Sequence, residues 1–166
     1  MRTHAKGLVL AIVSAAALLA ACGGGGGTKQ TAVTCPTGLV EAQTSPVEIK
    51  FWQAETMANA ETLLRLVDEF NASQSKIKVT ATFQGTYDES SSKYLAALRG
   101  GDLPDILQVV DWDTQRVIDS GSTVKVQDCI DAEKYDMSDY LPRVVAYWKV
   151  GGQLFSYPFS AAANVL

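Results

Sequence analysis

The sequence has 166 residues, with 14 Lys and Arg against 18 Asp and Glu, a net charge of −4 and a hydrophobic content of 47%. That acidic balance excludes nucleic acid as a partner, because a phosphate backbone demands a basic face. The single histidine, His4, lies in a segment read below as a targeting signal, so Ser-His-Asp catalysis, Cys-His catalysis and histidine-ligated zinc are excluded from the exported part.

Arg2, His4 and Lys6 give a basic start, and Gly7 to Ala21 is an uncharged run of Leu, Val, Ile and Ala. The run is shorter than the roughly 20 residues a bilayer span needs, and it fits the apolar core of a secretory signal. It ends in Leu19-Ala20-Ala21-Cys22, which resembles a bacterial lipobox. Residues 1–21 are therefore expected to be a lipoprotein signal peptide, with the Cys22 thiol carrying lipid. Gly23 to Gly27 continues into a polar stretch, so residues 22–45 are expected to be a lipidated cysteine and a flexible tether. Cys35 and Cys129 remain as an even pair in an oxidising compartment, and a disulfide between them is expected.

Val47 to Trp52 alternates and is rich in β-formers, which predicts a first strand after Pro46. Ala60 to Ser73 predicts a helix, with Leu63, Leu64, Val67 and Phe70 on one face. Lys76 to Phe83 alternates again and predicts a second strand. It is followed by Gln84-Gly85-Thr86-Tyr87 and a helix begun by Asp88 or Ser90 and closed by Gly100-Gly101. Ile106 to Val110 predicts a third, fully buried strand, stopped by Asp111-Trp112-Asp113, with Asp113 capping a helix over 114–120. Val124 to Gln127 reads as a weak β segment, 129–136 as a loop or short helix, and Ser138 as the start of a helix with Pro142 in its first turn. Gln153 to Phe159 predicts a last strand after Gly151-Gly152. The chain stops inside an apolar run, so a fragment of a longer protein is expected.

Strand-helix repetition predicts an α/β fold with a parallel sheet whose strand exits share one edge. Ligands of such sheets sit beyond the carboxyl ends of the strands. Trp52, Gln53 and Glu55 would stand at the first exit, Gln84 and Tyr87 at the second, and Asp111 and Trp112 at the third. Carboxylates and amides exchange hydrogen bonds with hydroxyls, and aromatic faces cover the apolar side of a sugar ring. No arginine falls at these exits to favour a phosphate. Asp105, Asp111 and Asp113 lack the spacing of a calcium loop, so no metal and no cofactor is expected.

The ordered set of a lipobox, Phe51-Trp52, Glu69-Phe70-Asn71-Ala72-Ser73, Gly85-Thr86-Tyr87-Asp88-Glu89, Gly101 to Val109 and Tyr157-Pro158-Phe159-Ser160 resembles the family 1 extracellular solute-binding proteins of ABC importers. The likeness covers about residues 46–166 and is greatest to sugar-binding and glycerol-3-phosphate-binding members. It implies two α/β lobes closing on a ligand, with residues 46–166 forming part of the N-terminal lobe of a periplasmic-binding-protein-like fold and the second lobe absent. It implies a small-molecule sugar or glycerol-phosphate ligand, ABC permease subunits as partners, and lipid anchoring on the outer face of the bacterial cytoplasmic membrane. In the glycerol-3-phosphate-binding members the tyrosine of the Gly-x-Tyr turn and an acid after the third strand contact ligand; Tyr87 and Asp111 hold those places. A serine of those members falls on Ala162 here, with Ser160 two residues earlier, and their Phe-Trp-His start has become Phe51-Trp52-Gln53. The implied ligand set is Tyr87, Asp111, Gln53, Trp112, Trp52 and Ser160. The competing readings are a secreted carbohydrate-active enzyme using Asp111 and Asp113, and a surface lipoprotein without a small-molecule ligand.

Overall fold

A computed structural model of the chain describes residues 35–39 and 41–160. The signal segment, Cys22 and Ala162 lie outside the described residues. Three strands form a parallel sheet in the order β2-β1-β3: β1 is Val47–Gln53, β2 Ile77–Phe83 and β3 Ile106–Leu107. The expected α/β fold with a parallel sheet is the one observed.

β1 sits at the centre because its alternating Val-Glu-Ile-Lys-Phe sequence can be paired on both edges. All seven of its residues lie in register with β2, and Phe51 and Trp52 with Ile106 and Leu107 of β3. The chain moves to one side of β1 for β2 and to the other for β3. That reversal is a topological switch point, and it opens a crevice at the carboxyl ends of β1 and β3.

Helix α1 spans Met57–Ser73 and α2 Tyr87–Gly100. On α1 only Leu63 is fully buried; Leu64, Leu66 and Phe70 remain 42–50% exposed, so the covered stripe is narrower than the periodicity predicted. Helix α2 begins one to three residues earlier than expected. Thr86, not Asp88 or Ser90, is its cap: the Thr86 side chain accepts from the Glu89 amide, and the Glu89 carboxylate accepts from the Thr86 amide at 2.7 Å. Gly85 is required just before it, with φ at +93° and a Cβ there meeting Glu89 Oε2 at 2.3 Å. This cap fixes Tyr87 at the first helical position.

The third strand is shorter and less buried than expected, and the cause lies in two side chains. Asp105 Oδ2 accepts from the Lys50 amide at 2.7 Å, and Gln108 Oε1 accepts from the Ala54 amide at 2.9 Å. Both side chains take hydrogen bonds that ladder carbonyls would otherwise accept. Val109 and Val110 then leave the sheet, and Ile106 stays 47% exposed. Helix α3 follows at once as Asp111–Asp119, so Asp113 is not its cap. Asp111 and Asp113 both lie in the first turn, where negative charge is stabilised by the helix dipole.

Val126–Glu133 is a helix, α4, so the short helix expected within 129–136 is present but begins at Val126, inside the weak β segment expected over 124–127. Its start is held by Lys125, whose carbonyl accepts from the Asp128 amide and whose ammonium pairs with the Asp128 carboxylate at 2.8 Å. Cys129 of α4 is disulfide-bonded to Cys35, as expected. Helix α5 is Pro142–Tyr147, with proline at its start. Lys149–Val150 (β4) and Gln153–Leu154 (β5) form an antiparallel hairpin. Gly151 and Gly152 both have positive φ, as the tight two-residue turn requires. The predicted strand over 153–159 is reduced to two residues, since β4 offers only two partners.

Candidate functional site

Three polar groups meet in the crevice at the switch point. Gln108, at the exit of β3, donates from Nε2 to Glu55 Oε1 at 2.6 Å and to the Tyr87 hydroxyl at 3.3 Å. Its oxygen accepts from the Ala54 amide, so one side chain ties the β1 exit, the β3 exit and the start of α2 together. Gln53 is turned inward, only 2% exposed, and its Oε1 accepts from the Glu55 amide at 2.6 Å. It shapes the turn that presents Glu55. Burial, and next the Glu55 carboxylate, raise the Tyr87 phenol above its ordinary value.

A cleft of about 980 Å³ runs from this point across the molecule. Tyr87, Gln108, Asp111 and Ser160 line it, with Phe51, Val117 and Trp148 supplying apolar wall. Tyr87 and Asp111 thus share one concavity. Trp52 does not line it. Strand pleating puts Trp52 on the face opposite Phe51, while Gln53 shares the Phe51 face. Trp112 also stays outside the main cleft and lines an adjoining pocket of about 230 Å³ with Asp111, Tyr147 and Trp148.

Asp111 is exposed at the first position of α3. It accepts from the Tyr147 hydroxyl and from the Trp112 amide, and these bonds hold its carboxyl below the usual range. The bond to Asp111 in turn raises the Tyr147 phenol. Asp113 is 1% exposed and enclosed by the Ser91 hydroxyl and the Arg116 guanidinium, the latter at 2.9 Å. Its charge is committed to packing α3 on α2, so it does not pair with Asp111 as a hydrolytic acid would. No cluster of three or more metal-ligating side chains occurs among the described residues.

Gln108, Tyr147 and Arg143 line the cleft and were not among the expected site residues, while Glu55, expected at the first exit but left out of the implied ligand set, borders it through its bond from Gln108. Glu55 and Gln108 had a signal, as polar residues at the exits of two apolar strands. Tyr147 and Arg143 come from α5, whose approach to α3 has no local trace in the sequence.

Asp111 is held low chiefly by Tyr147, Asp102 by Lys50, Glu89 by Thr86 and Asp136 by the Ser138 amide. Lowered carboxylates contribute stability above their unfolded values, near pH 4, which is lost as pH falls through the folded values. Urea unfolding followed by circular dichroism is therefore expected to show stability that is flat above about pH 5 and declines below about pH 4. A rise in stability on acidification would contradict these contacts.

The family model described as bacterial extracellular solute-binding protein matches residues 65–166. The chain is 33% identical over 139 residues to the sn-glycerol-3-phosphate-binding periplasmic protein UgpB of Rhizobium meliloti (strain 1021), covering 81% of this chain and 32% of that protein. It is 35% identical over 123 residues to UgpB of Agrobacterium fabrum, covering 72% and 28%. It therefore spans about a third of the length of the curated relatives it matches. Among solved structures, the cyclic alpha-maltosyl-1,6-maltose binding protein from Arthrobacter globiformis superposes with a TM-score of 0.56 at 22% identity, covering 66% of this chain and 27% of that one. A family 1 extracellular solute-binding protein from Alicyclobacillus acidocaldarius gives 0.55, also at 22% identity, covering 68% and 28%.

Proposed function

Because the chain belongs to the bacterial extracellular solute-binding proteins, we propose that it is the ligand-capturing part of an ABC importer, taking a carbohydrate or a polyol phosphate ester such as glycerol-3-phosphate and handing it to permease subunits. The observation that carries this reading is that Tyr87 and Gln108 meet at the switch point and line the same cleft as Asp111, with Glu55 bonded behind Gln108. Hydroxyl-rich ligands need paired acceptors and donors on a preformed frame, and this crevice supplies both. Ser160 lines the same cleft. Gln53 acts through the turn that holds Glu55. Closure of a second lobe over the cleft is the switch that would signal occupancy to the permease.

Export and anchoring belong to the same reading. The relatives are named as periplasmic proteins. The lipobox-like Leu19-Ala20-Ala21-Cys22 adds a lipid on Cys22, with the glycine run as tether. Membership of a family of binding proteins, and the enclosure of Asp113, both weigh against the carbohydrate-active enzyme. Calorimetry of the full chain with sn-glycerol-3-phosphate and with neutral sugars tests the reading. Tyr87→Ala and Asp111→Ala are each expected to weaken binding of the accepted ligand by about 1–3 kcal/mol, the cost of one lost polar partner. Unchanged affinity in both variants would remove the cleft from ligand capture.

A further inference from the structure

Resting on the capture reading above, we propose that Ser91 and Asp113 are positioning residues of the cleft: their hydrogen bond fixes the start of α2 against the start of α3 and so sets the separation of Tyr87 from Asp111. The Ser91 hydroxyl donates to Asp113 Oδ2. Each end of that bond lies about a helical turn or less from a residue of the cleft wall. Tyr87 and Ser91 are four apart on α2, and residues at that spacing lie on one face, one above the other. Asp111 and Asp113 share the first turn of α3. Tyr87 and Asp111 line the cleft, whereas Ser91 and Asp113 lie behind it.

Among the described residues, the other side-chain hydrogen bonds between α2 and this region run from Tyr94 to Ser120 and Ser122, just past the last residue of α3. Helix α3 is therefore pinned to α2 at both ends. Without the Ser91 bond it would stay held near Ser120 and could pivot there, with the largest displacement at Asp111. Nine residues span about 13 Å, so a tilt of about 5° moves Asp111 by about 1 Å. A shift of that size takes a hydrogen bond out of its working range.

The choice of residue points the same way. Asp113 is 1% exposed, and taking a carboxylate out of water costs more than an ion pair as a rule recovers. The dipole of α3 offsets part of that cost. The Arg116 guanidinium, 2.9 Å away, is more than half exposed, so solvent screens the pair. Stability alone does not call for an acid here. Direction does: Ser91 engages Oδ2 and Arg116 engages Oδ1, so the carboxylate is held from both sides and cannot rotate.

The test is calorimetry on the full chain with sn-glycerol-3-phosphate and with maltose, with circular dichroism to confirm that each variant folds. Ser91→Ala and Asp113→Leu are each expected to weaken binding of the probe that the wild type accepts by about five- to tenfold. The double variant is expected to lose no more than either alone, because both changes remove one bond. Asp113→Asn keeps an oxygen for Ser91 and is expected to hold affinity within about twofold of the wild type. A role in packing alone would move the unfolding midpoint and leave the affinity of the folded protein where it was. Unchanged affinity in folded Ser91→Ala overturns the positioning role and leaves solute capture intact, and it decides the matter even where Asp113→Leu does not fold. Losses that add in the double variant overturn it too. A wild type that binds neither probe overturns the capture reading for this ligand class, and the positioning role with it.

Discussion

Replacing Cys35 and Cys129 together by serine is expected to lower the unfolding free energy by about 4–5 kcal/mol. The two cysteines are 94 residues apart in sequence, and the bridge ties the segment before β1 to α4. Cross-linking so long a loop removes much of the freedom of the unfolded chain, and the loss grows with the logarithm of loop length. A domain of this size holds only about 5–15 kcal/mol in total, so the bridge carries a large share. The need is visible in the packing. Few large apolar side chains are fully buried, chief among them Phe51, Leu63, Tyr94, Val117, Ile130 and Leu154. Urea unfolding with and without reductant measures the effect. A difference below about 1 kcal/mol would mean that the bridge restrains little.

Gln108→Leu is expected to cost about 3 kcal/mol of stability, more than any other single change at the site. Leucine keeps the volume, so the loss is almost wholly polar. The buried Ala54 amide loses its acceptor, and Glu55 loses a donor at 2.6 Å. Leaving a buried amide unsatisfied costs about 1–3 kcal/mol, and a bond to a charged group is worth about 1.5–3. Gln108→Glu separates the two parts. It keeps the acceptor for Ala54 and sets a second carboxylate against Glu55. Its deficit should therefore be smaller than that of leucine at neutral pH and should narrow on acidification, as one of the two carboxyls takes a proton. Chemical denaturation of both variants checks this. A loss below about 0.5 kcal/mol for leucine would show that Gln108 is not the tie between the two strand exits.

The parts of the fold that were legible in the sequence are those governed by local periodicity. The alternation of Val47 to Trp52 and of Lys76 to Phe83 marked β1 and β2, and the shared direction of the strands followed from the intervening helices. The third strand was misjudged because Asp105 and Gln108 replace ladder bonds with side-chain bonds, which an apolar run such as Ile106 to Val110 does not advertise. Helix α3 was placed too late, since Asp113 resembles a cap when its role at the third helical position is to meet Ser91 and Arg116. The start of helix α4 falls inside the segment that Val124 and Val126 mark as β, because that start rests on Lys125 and Asp128, while its body lies where a short helix was expected.

The site divides in the same way. Tyr87 and Asp111 were found from the strand exits, and they do line one cleft. Trp52 was included by proximity in sequence, although period-two parity already separates it from Phe51 and Gln53. Tyr147 lies 36 residues from Asp111, and no local pattern joins them. Such a contact is set by how α5 packs, which depends on the whole chain.

Hydrogen–deuterium exchange of the full chain, with and without the ligand it retains best from a panel of sugars and glycerol-3-phosphate, tests the central claim most directly. Ligand is expected to slow exchange at the three converging segments, 53–56, 84–90 and 108–114, and to leave the outer face of α1 unchanged. Slowed exchange confined to α1 or to the Cys35–Cys129 region, with the three segments unaffected, would contradict the account.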